Sequence, residues 1–292
     1  MLLLFTLPMV AYIFVFAYLP MFGIVIAFKN FNYARGILGS DWVGLKNFRL
    51  FFINPDAWRI TRNTLGYNAV FIVLNLITNV GVALLLNEVR SRKALKTYQT
   101  VMFFPYFLSW VVVAYIAYAL LNYRTGIVNG FVKSLGGKPV DWYNTPSAWP
   151  VIIVLFNTWK GLGYGSIVYY AAIIGIDTAY YEAASIEGAT RWQQTWHITL
   201  PELTSLITIM TILAVGHIFS AVFGLFYQLT MDSKTLYRTT DVIDTYVFRA
   251  LMKDGNIGIS SASGVFKSLV GFVLVVATNW IVNRINPENA LY

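Results

Sequence analysis

Long apolar stretches alternate with shorter polar segments along this chain. A helix needs about 20 mostly apolar residues to cross a bilayer. Stretches that meet this requirement lie at roughly 2–27, 64–86, 98–121, 149–175, 203–229 and 264–285. The pattern therefore predicts an all-α membrane protein, with six spans forming one helical bundle and a single transmembrane domain over residues 1–292.

The first stretch, LLLFTLPMVAYIFVFAYLPMFGIVIAF, is longer than the apolar part of a signal peptide. It has no basic region before it and no small-residue cleavage site after it, so we expect a retained helix. The chain starts inside this helix, which is compatible with a trimmed N-terminal tail. The next segment, 28–63, mixes aromatic residues with Lys, Arg and Asn, which predicts an interfacial hairpin with a short amphipathic helix near Leu45–Phe52.

Composition agrees with membrane placement. Hydrophobic residues make up 58% of the chain and charged residues only 12%, about half the share of roughly 25% in soluble domains. A soluble enzyme is therefore excluded. The chain has no cysteine, which excludes disulfides, thiol catalysis and cysteine-based metal sites, and only two histidines, His197 and His217, so no metal site is expected. The net charge of +8 is spread between apolar runs, so membrane topology explains it better than nucleic-acid binding.

Charge patterning gives an incomplete answer on orientation. The densest basic cluster, Arg90 to Lys96, follows the second span, and the positive-inside rule places it in the cytoplasm. By alternation, the loop 176–202 and both termini would also be cytoplasmic. The total number of Lys and Arg residues is larger in the opposite loops, however. Charge alone therefore leaves the orientation open.

The loop DTAYYEAASIEGATRWQQTWHITLPE, at 177–202, is long and has helical composition. Glu182 places a carboxylate near a helix N-terminus, where it is favourable. Gly188 then interrupts the pattern, and a second helical stretch runs from Ala189 to Pro201. The sequence predicts a helix, a glycine turn and a second helix projecting into water. From the residues alone, a solvated loop and a partner-binding knob are both open.

This loop resembles the EAA motif of ABC importer permeases. The matching positions are Glu182, Ala183, Ala184, Glu187, Gly188, Ala189, Ile198 and Pro201. That family often has Asp where this chain has Glu187, which keeps the charge. The resemblance implies that the loop is a cytoplasmic coupling helix that docks on an ATP-hydrolysing subunit, and it supports the orientation given by the Arg90 cluster.

Other stretches extend the resemblance over the whole chain. They are WVGLKNF at 42–48, FPY at 104–106 and NTW at 157–159, which resemble the maltose-permease class of carbohydrate importers. The opening LPMVAYIFVFAYLPMFGIVIAFKNFN is similar to the subgroup that imports acidic oligosaccharides, as in the first permease subunit of alginate importers. The resemblance implies a type I ABC importer permease fold in the bacterial inner membrane. It also implies a second homologous permease, two ATP-binding subunits that carry ATP and Mg, and a periplasmic solute-binding protein.

A charged residue inside a span costs about 2.5–3.5 kcal/mol on insertion scales, so it tends to face a cavity or a partner. Lys160 lies about ten residues into the fourth span, beside Gly161, Gly163 and Gly165. The alternative is that the Lys160 side chain extends to the membrane interface. Lys160 lies roughly 15 Å from the end of the span, which makes that alternative less favourable. We predict that Lys160 faces the translocation pathway and pairs with a sugar carboxylate.

Further substrate-binding candidates share helical faces with this lysine or lie in family-matched regions. Asn157 and Tyr164 are one turn before and one turn after Lys160, and Gly161 leaves room beside it. An aromatic wall from the third span and polar groups from the fifth complete the predicted site: Tyr106, Trp110, His217 and Ser220. Alternatives are helix packing for Trp110, a buried neutral imidazole for His217 and an interfacial position for Lys267.

Enzyme motifs such as GxxxxGK[ST], HExxH and GxSxG are absent from the sequence. We therefore expect a transport subunit that binds no cofactor itself. The leading hypothesis is an ATP-driven importer of acidic, alginate-like oligosaccharides, and the alternative is an importer of neutral ones. An ion-coupled secondary transporter would need intramembrane carboxylates, whereas all Asp and Glu residues fall in predicted loops or at helix ends. A non-transporting scaffold would lack a deep lysine.

Overall fold

A computed structural model describes residues 2–285 of the chain. Within that range the protein is nearly all helical, with four helices long and apolar enough to cross a membrane, or up to six if two bent pairs each count as one span. The N-terminal helix starts as α1 (Leu2–Ile13) and continues through a π turn at Phe14–Tyr18 and a 3-10 stretch at Leu19–Phe28. Its side chains from Phe5 to Phe22 are all exposed, as expected for a helix covered by lipid or by a partner.

A small hairpin follows this helix. Strand β1 (Lys29–Asn30) pairs antiparallel with β2 (Asp41–Trp42), around the short helix α2 (Gly36–Gly39). Helix α3 (Lys46–Ile53) confirms the predicted amphipathic helix: it buries Phe51 completely. Asn47 on the same helix donates to the carbonyl oxygens of Ala27 and Lys29, at 2.9 Å each, and so ties α3 to the hairpin.

The second span is longer than the predicted 64–86. Helix α4 (Pro55–Asn87) has 33 residues, which corresponds to about 50 Å at helical rise. It starts early because the side chain of Asn54 accepts a hydrogen bond from the amide of Asp56 and Pro55 takes the first helical position. Helix α4 is therefore longer than a hydrocarbon layer of about 30 Å requires.

The third span is not the single helix predicted over 98–121. Helices α5 (Arg92–Phe107) and α6 (Trp110–Leu121) meet at an angle of 100°. Leu108 and Ser109 adopt extended backbone conformations, and the Ser109 hydroxyl accepts a hydrogen bond from the amide of Val112 at 3.3 Å. The break occurs because Ser109, four residues after Pro105, caps a new helix, and Pro105 lies inside the last turn of α5.

Helix α7 (Ile127–Ser134) precedes α8 (Trp149–Ile174), which agrees with the span predicted at 149–175. Helix α8 packs along α4 and α5. Its closest approach is at Gly163, where a Cβ atom would lie within 2.6 Å of the Cα of Phe103. A short helix-turn-helix segment follows, consisting of α9 (Thr178–Ile186), α10 (Arg191–Gln194), a π turn at Thr195–Thr199 and α11 (Leu200–Glu202).

The fifth span also differs from its prediction at 203–229. Helix α12 (Thr204–Gly216) ends at Gly216, and an irregular segment leads to α13 (Phe223–Tyr227). Side chains of other elements satisfy the backbone that this break frees. Asn68 donates to the carbonyl of Ile218 at 2.8 Å, and Asp244 accepts from the amide of Ala221 at 2.7 Å. These tertiary partners do not show in the local sequence pattern.

The chain ends with α14 (Tyr237–Thr240), α15 (Ile243–Met252) and α16 (Ile257–Ile285), the last starting two turns before the predicted 264–285. Lys267 of α16 forms an ion pair with Asp244 of α15. The main buried cluster surrounds Trp149 where α4, α6, α8 and α13 meet. This cluster holds the helices rigidly next to the cavity described below.

Candidate functional site

A cavity of about 320 Å³ lies between α4, α8 and α12. This volume is at the low end of the range for ligand pockets, roughly 300–1,000 Å³. Its lining combines apolar side chains with uncharged polar groups. The polar residues are Asn68, Asn75, Asn79, Asn157, Tyr164, Tyr169, Thr211, His217 and Ser220. Such amide, hydroxyl and aromatic groups are suited to bind an uncharged, hydroxyl-rich molecule.

Four residues that the sequence singled out line this cavity: Asn157, Tyr164, His217 and Ser220. Two of them come from α8, and the others from the irregular segment after α12. His217 is not in the middle of a helix, as its position in the fifth apolar stretch suggested, because α12 ends at Gly216. The carbonyl of His217 accepts a hydrogen bond from the amide of Ser220 at 2.7 Å, which keeps both residues in one turn at the cavity wall.

Lys160 forms a second cluster next to the cavity and is not among its lining residues. The Lys160 Nζ donates to the carbonyl oxygen of Tyr106 at 2.8 Å and to that of Pro105 at 3.3 Å. It also lies 5.6 Å from the ring centroid of Tyr106 and 5.4 Å from that of Trp110. The ammonium group therefore caps the C-terminal end of α5 at the bend between α5 and α6, between two aromatic rings.

Tyr164 connects the two clusters. Its ring stacks on that of Tyr106, with centroids 4.8 Å apart and an angle of 11° between the planes. Tyr106 is thus behind the cavity wall and does not line it. Trp110 packs on Gly224, where a Cβ atom would lie 2.6 Å from the indole, so the packing alternative describes part of its role. Gly161 faces open space. The ligand-binding roles of these residues stay predictions.

The α4 wall of the cavity was missed by the sequence reasoning. Asn68, Asn75 and Asn79 are separated by seven and four residues, which puts them on one face of a helix. The signal was present, because three amides on one face of an apolar span need polar surroundings. This signal is weaker than that of Lys160, because an uncharged amide costs less to bury than an ammonium group.

The predicted coupling segment has the predicted shape: helix α9, a turn at Gly188 with φ of +81°, and helix α10. A hydrogen-bonded capping box of Thr190 and Gln193 starts α10, and Gln194 Nε2 donates to the Ser185 hydroxyl at 2.9 Å. These bonds fix the two short helices against each other. The motif residues Glu182, Ala183, Glu187, Gly188 and Pro201 are exposed, while Ala184 and Ala189 are half-buried.

The most exposed apolar residue of this segment is Ile186, of which 88% is accessible. It stands at the end of α9, next to Glu187 and Gly188. An isoleucine in that position covers nothing in the described chain. Ile186 is therefore a small apolar protrusion flanked by carboxylates. Such a surface is suited to insert into a groove of a partner protein.

At the opposite end of the bundle, an ion-pair network joins α4, α15 and the loop before α14. The buried carboxylate of Asp241 accepts from Arg59 Nη2 at 3.2 Å and pairs with Arg249. Asp232 accepts from Tyr237 at 2.8 Å and from Arg249 at 3.2 Å, and pairs with Lys253. Burial alone would raise the pKa of Asp232, but these hydrogen bonds and positive charges hold the pKa below its ordinary value.

Within residues 2–285, no group of three or more His, Asp or Glu side chains is placed to hold a metal ion. The candidate site consists of an uncharged cavity in the bundle, a lysine at a helix bend beside it, and the predicted coupling segment at one end.

Comparison with known proteins identifies relatives over nearly the whole chain. Residues 79–288 match the family described as binding-protein-dependent transport system inner membrane component. Protein LplB of Bacillus subtilis is 36% identical over 282 residues, covering 96% of this chain and 88% of LplB. The polygalacturonan/rhamnogalacturonan transport system permease protein YteP of the same organism is 37% identical, covering 97% of this chain and 87% of YteP.

Solved structures give the same result. The chain is similar to one in the crystal structure of a bacterial ABC transporter involved in the import of the acidic polysaccharide alginate. The TM-score is 0.90 at 33% identity, and the match covers 98% of this chain and 96% of the other. A second structure, of a bacterial alginate ABC transporter in complex with an alginate pentasaccharide-bound periplasmic protein, matches with a TM-score of 0.88.

Proposed function

The chain belongs to the family of binding-protein-dependent transport system inner membrane components, and we propose that it serves a bacterial importer of acidic oligosaccharides. At the coarser level its relatives are permeases of sugar ABC importers. The chain is accordingly a membrane-embedded transport subunit and not an enzyme. The observation that carries the finer proposal is the full-length match to the alginate transporter at a TM-score of 0.90.

The arrangement of charge supports an acidic substrate. An ammonium group has three donors, and the carbonyls of Pro105 and Tyr106 occupy two of those on Lys160. Lys160 is half-buried, between the rings of Tyr106 and Trp110. A sugar carboxylate passing the bend would meet the remaining donor of this ammonium group, and a charge-assisted hydrogen bond would form. A neutral oligosaccharide is the second candidate, favoured by the uncharged lining of the cavity.

In the proposed complex, this permease pairs with a second homologous permease above two ATP-binding subunits. The coupling segment around Ile186 docks on one of those subunits in the cytoplasm. A periplasmic binding protein delivers the sugar to the opposite end. ATP-driven closure of the ATPases moves α9, and the bundle alternates between inward-facing and outward-facing states around the cavity. ATP and Mg stay on the partner subunits.

The test is ATP hydrolysis by the complete complex, reconstituted with its binding protein in lipid. Uronate oligosaccharides are compared with neutral ones of equal length, in wild type and in Lys160→Met. We expect stimulation by uronates, and a rise in the half-maximal uronate concentration of at least fivefold in the variant. Stimulation by neutral sugars alone, with no effect of Lys160→Met on the preference, would reject the acidic substrate and keep the coarser sugar-importer assignment.

A further inference from the structure

The α4 wall of the cavity carries amides whose roles differ. Asn68 Nδ2 donates to the carbonyls of Thr64, at 3.0 Å, and Ile218, at 2.8 Å. Asn68 therefore fastens the irregular segment after α12 to α4, which is a structural role. The two asparagines further along the same face, Asn75 and Asn79, also line the cavity.

The Oδ1 atom of Asn79 is buried, and among residues 2–285 no group donates a hydrogen bond to it. Buried amide oxygens normally have a donor, so Asn79 holds an unused acceptor beside the cavity. Gly165 of α8 makes the position possible, since a Cβ atom there would lie 2.8 Å from that oxygen. The small residue lets α8 pack directly against the amide.

Asn75 has a half-buried side chain. It lies one turn from Asn79 and faces the same cavity as Asn157 and Tyr164 of α8. An amide offers both a donor and an acceptor, which matches the two functions of a sugar hydroxyl. No Lys, Arg, Asp or Glu is among the residues that line the cavity, so a bare carboxylate would find no counter-charge there.

We propose that Asn75 and Asn79 bind the hydroxyl groups of one sugar ring in the cavity, on the wall opposite Asn157 and Tyr164. The assignment rests on the proposed function. It divides the recognition of the sugar between the α4 amides and Lys160. The α4 amides bind hydroxyl groups that acidic and neutral sugars share. The carboxylate of an acidic sugar binds outside the cavity, at Lys160. Substitutions at Lys160 should therefore change the preference for charged sugars, and substitutions at Asn75 or Asn79 should change the affinity for the sugar ring.

The experiment measures the sugar concentration that gives half-maximal ATPase stimulation of the reconstituted complex, with uronate oligosaccharides and with neutral ones of equal length. The variants are Asn75→Leu and Asn79→Leu, which replace an amide by an apolar group of similar size. Asn75→Ser restores one hydroxyl. Asn87→Leu is the matched control, because Asn87 is on the same helix, exposed and outside this cavity.

We expect Asn75→Leu and Asn79→Leu to raise the half-maximal concentration about fivefold to tenfold for every oligosaccharide that stimulates the wild type. Asn75→Ser should recover part of the loss, and Asn87→Leu should behave like wild type. Lys160→Met should instead change the ratio between acidic and neutral sugars. Because Asn79 is partly buried against α8, size-exclusion profiles and unfolding temperatures are recorded for each variant. If Asn79→Leu does not fold, the result for Asn75→Leu tests the assignment by itself.

A folded Asn75→Leu complex with an unchanged half-maximal concentration would overturn this assignment and leave the proposed function intact. A shift confined to uronates would overturn it as well, because it would place charge recognition on α4. If no oligosaccharide stimulates or binds to the wild-type complex, the proposed function fails, and the assignment fails with it. The wild-type measurement therefore separates the two failures.

Discussion

The Nζ atom of Lys160 lies 2.8 Å from the carbonyl oxygen of Tyr106 and so joins α8 to the last turn of α5. The final carbonyls of a helix have no partner within the helix, and α6 leaves this point at an angle of 100°. A positive charge at a helix C-terminus is favourable. Lys160 therefore stabilises the bend that brings Trp110 and Tyr106 around it, whatever it also does for substrate.

Replacing Lys160 by Met should lower the stability of the complex, because the Tyr106 carbonyl loses the ammonium donor and the Pro105 carbonyl keeps only the amide of Leu108. Hydrogen bonds to charged groups contribute about 1.5–3 kcal/mol when buried, and partial exposure here reduces the expected loss to about 1 kcal/mol. Thermal unfolding of the purified complex measures it. Lys160→Arg should retain part of the stability, and an unchanged unfolding temperature in Lys160→Met would contradict the capping role.

Two glycines of α8 offer a matched pair. A Cβ atom at Gly163 would lie 2.6 Å from the Cα of Phe103, whereas one at Gly161 meets nothing within 4 Å. Gly163→Ala should destabilise the complex by about 1–3 kcal/mol through overpacking. Gly161→Ala should be neutral or stabilising by up to about 1 kcal/mol, since alanine favours helix. Unfolding temperatures compare them, and equal effects of the two substitutions would refute the close approach of α8 and α5.

Ile186, 88% exposed at the tip of α9, should transmit the ATPase motion. Ile186→Asp adds a carboxylate beside Glu187 and removes the apolar contact, so sugar-stimulated ATP hydrolysis should fall at least tenfold. The stability of the permease itself should not change, because the side chain covers nothing in the described chain. Ile186→Leu is the control and should keep most of the activity. Full activity of the Asp variant would show that α9 docks elsewhere or not at all.

Asp232 should make the ion-pair network at the other end sensitive to acid. Its pKa lies below the ordinary value, so its charged form is stabilised in the folded protein. That stabilisation is complete above about pH 4 and is lost as the pH falls through the lower folded pKa. Asp232→Asn should reduce stability at pH 7 and flatten the dependence of stability on pH below about pH 4.

Unfolding temperatures at a series of pH values test this prediction. Asp41→Asn is a suitable comparison, because the pair of Asp41 with Arg35 is exposed on both sides and exposed pairs contribute little. A steep acid dependence that remains in Asp232→Asn would assign the sensitivity to another carboxyl group.

Much of the architecture was predictable because apolar length and glycine position are local signals. The helix at Trp149–Ile174, the amphipathic helix at Lys46–Ile53 and the turn at Gly188 followed from the sequence. The breaks at Leu108 and Gly216 did not, since both lie inside apolar runs. They are stabilised by partners distant in the chain, such as Lys160 for the first and Asn68 for the second.

The candidate site was predictable in part for the same reason. Asn157 and Tyr164 share a helix face, and the helical period correctly indicated that they point the same way. Lys160 lies on the same helix face, but its long side chain reaches the carbonyls at the end of α5. Where a flexible side chain ends depends on which acceptors the fold places nearby, and that information is absent from one helix alone.

The most direct test of the central claim is uptake of a labelled uronate oligosaccharide into proteoliposomes that contain the whole complex, with ATP enclosed and the binding protein outside. The account predicts accumulation that needs both ATP and the binding protein, that competes with unlabelled uronates, and that is lost in Ile186→Asp. Uptake that proceeds without ATP, or that follows an ion gradient instead, would contradict the assignment of this chain as the permease of an ATP-driven sugar importer.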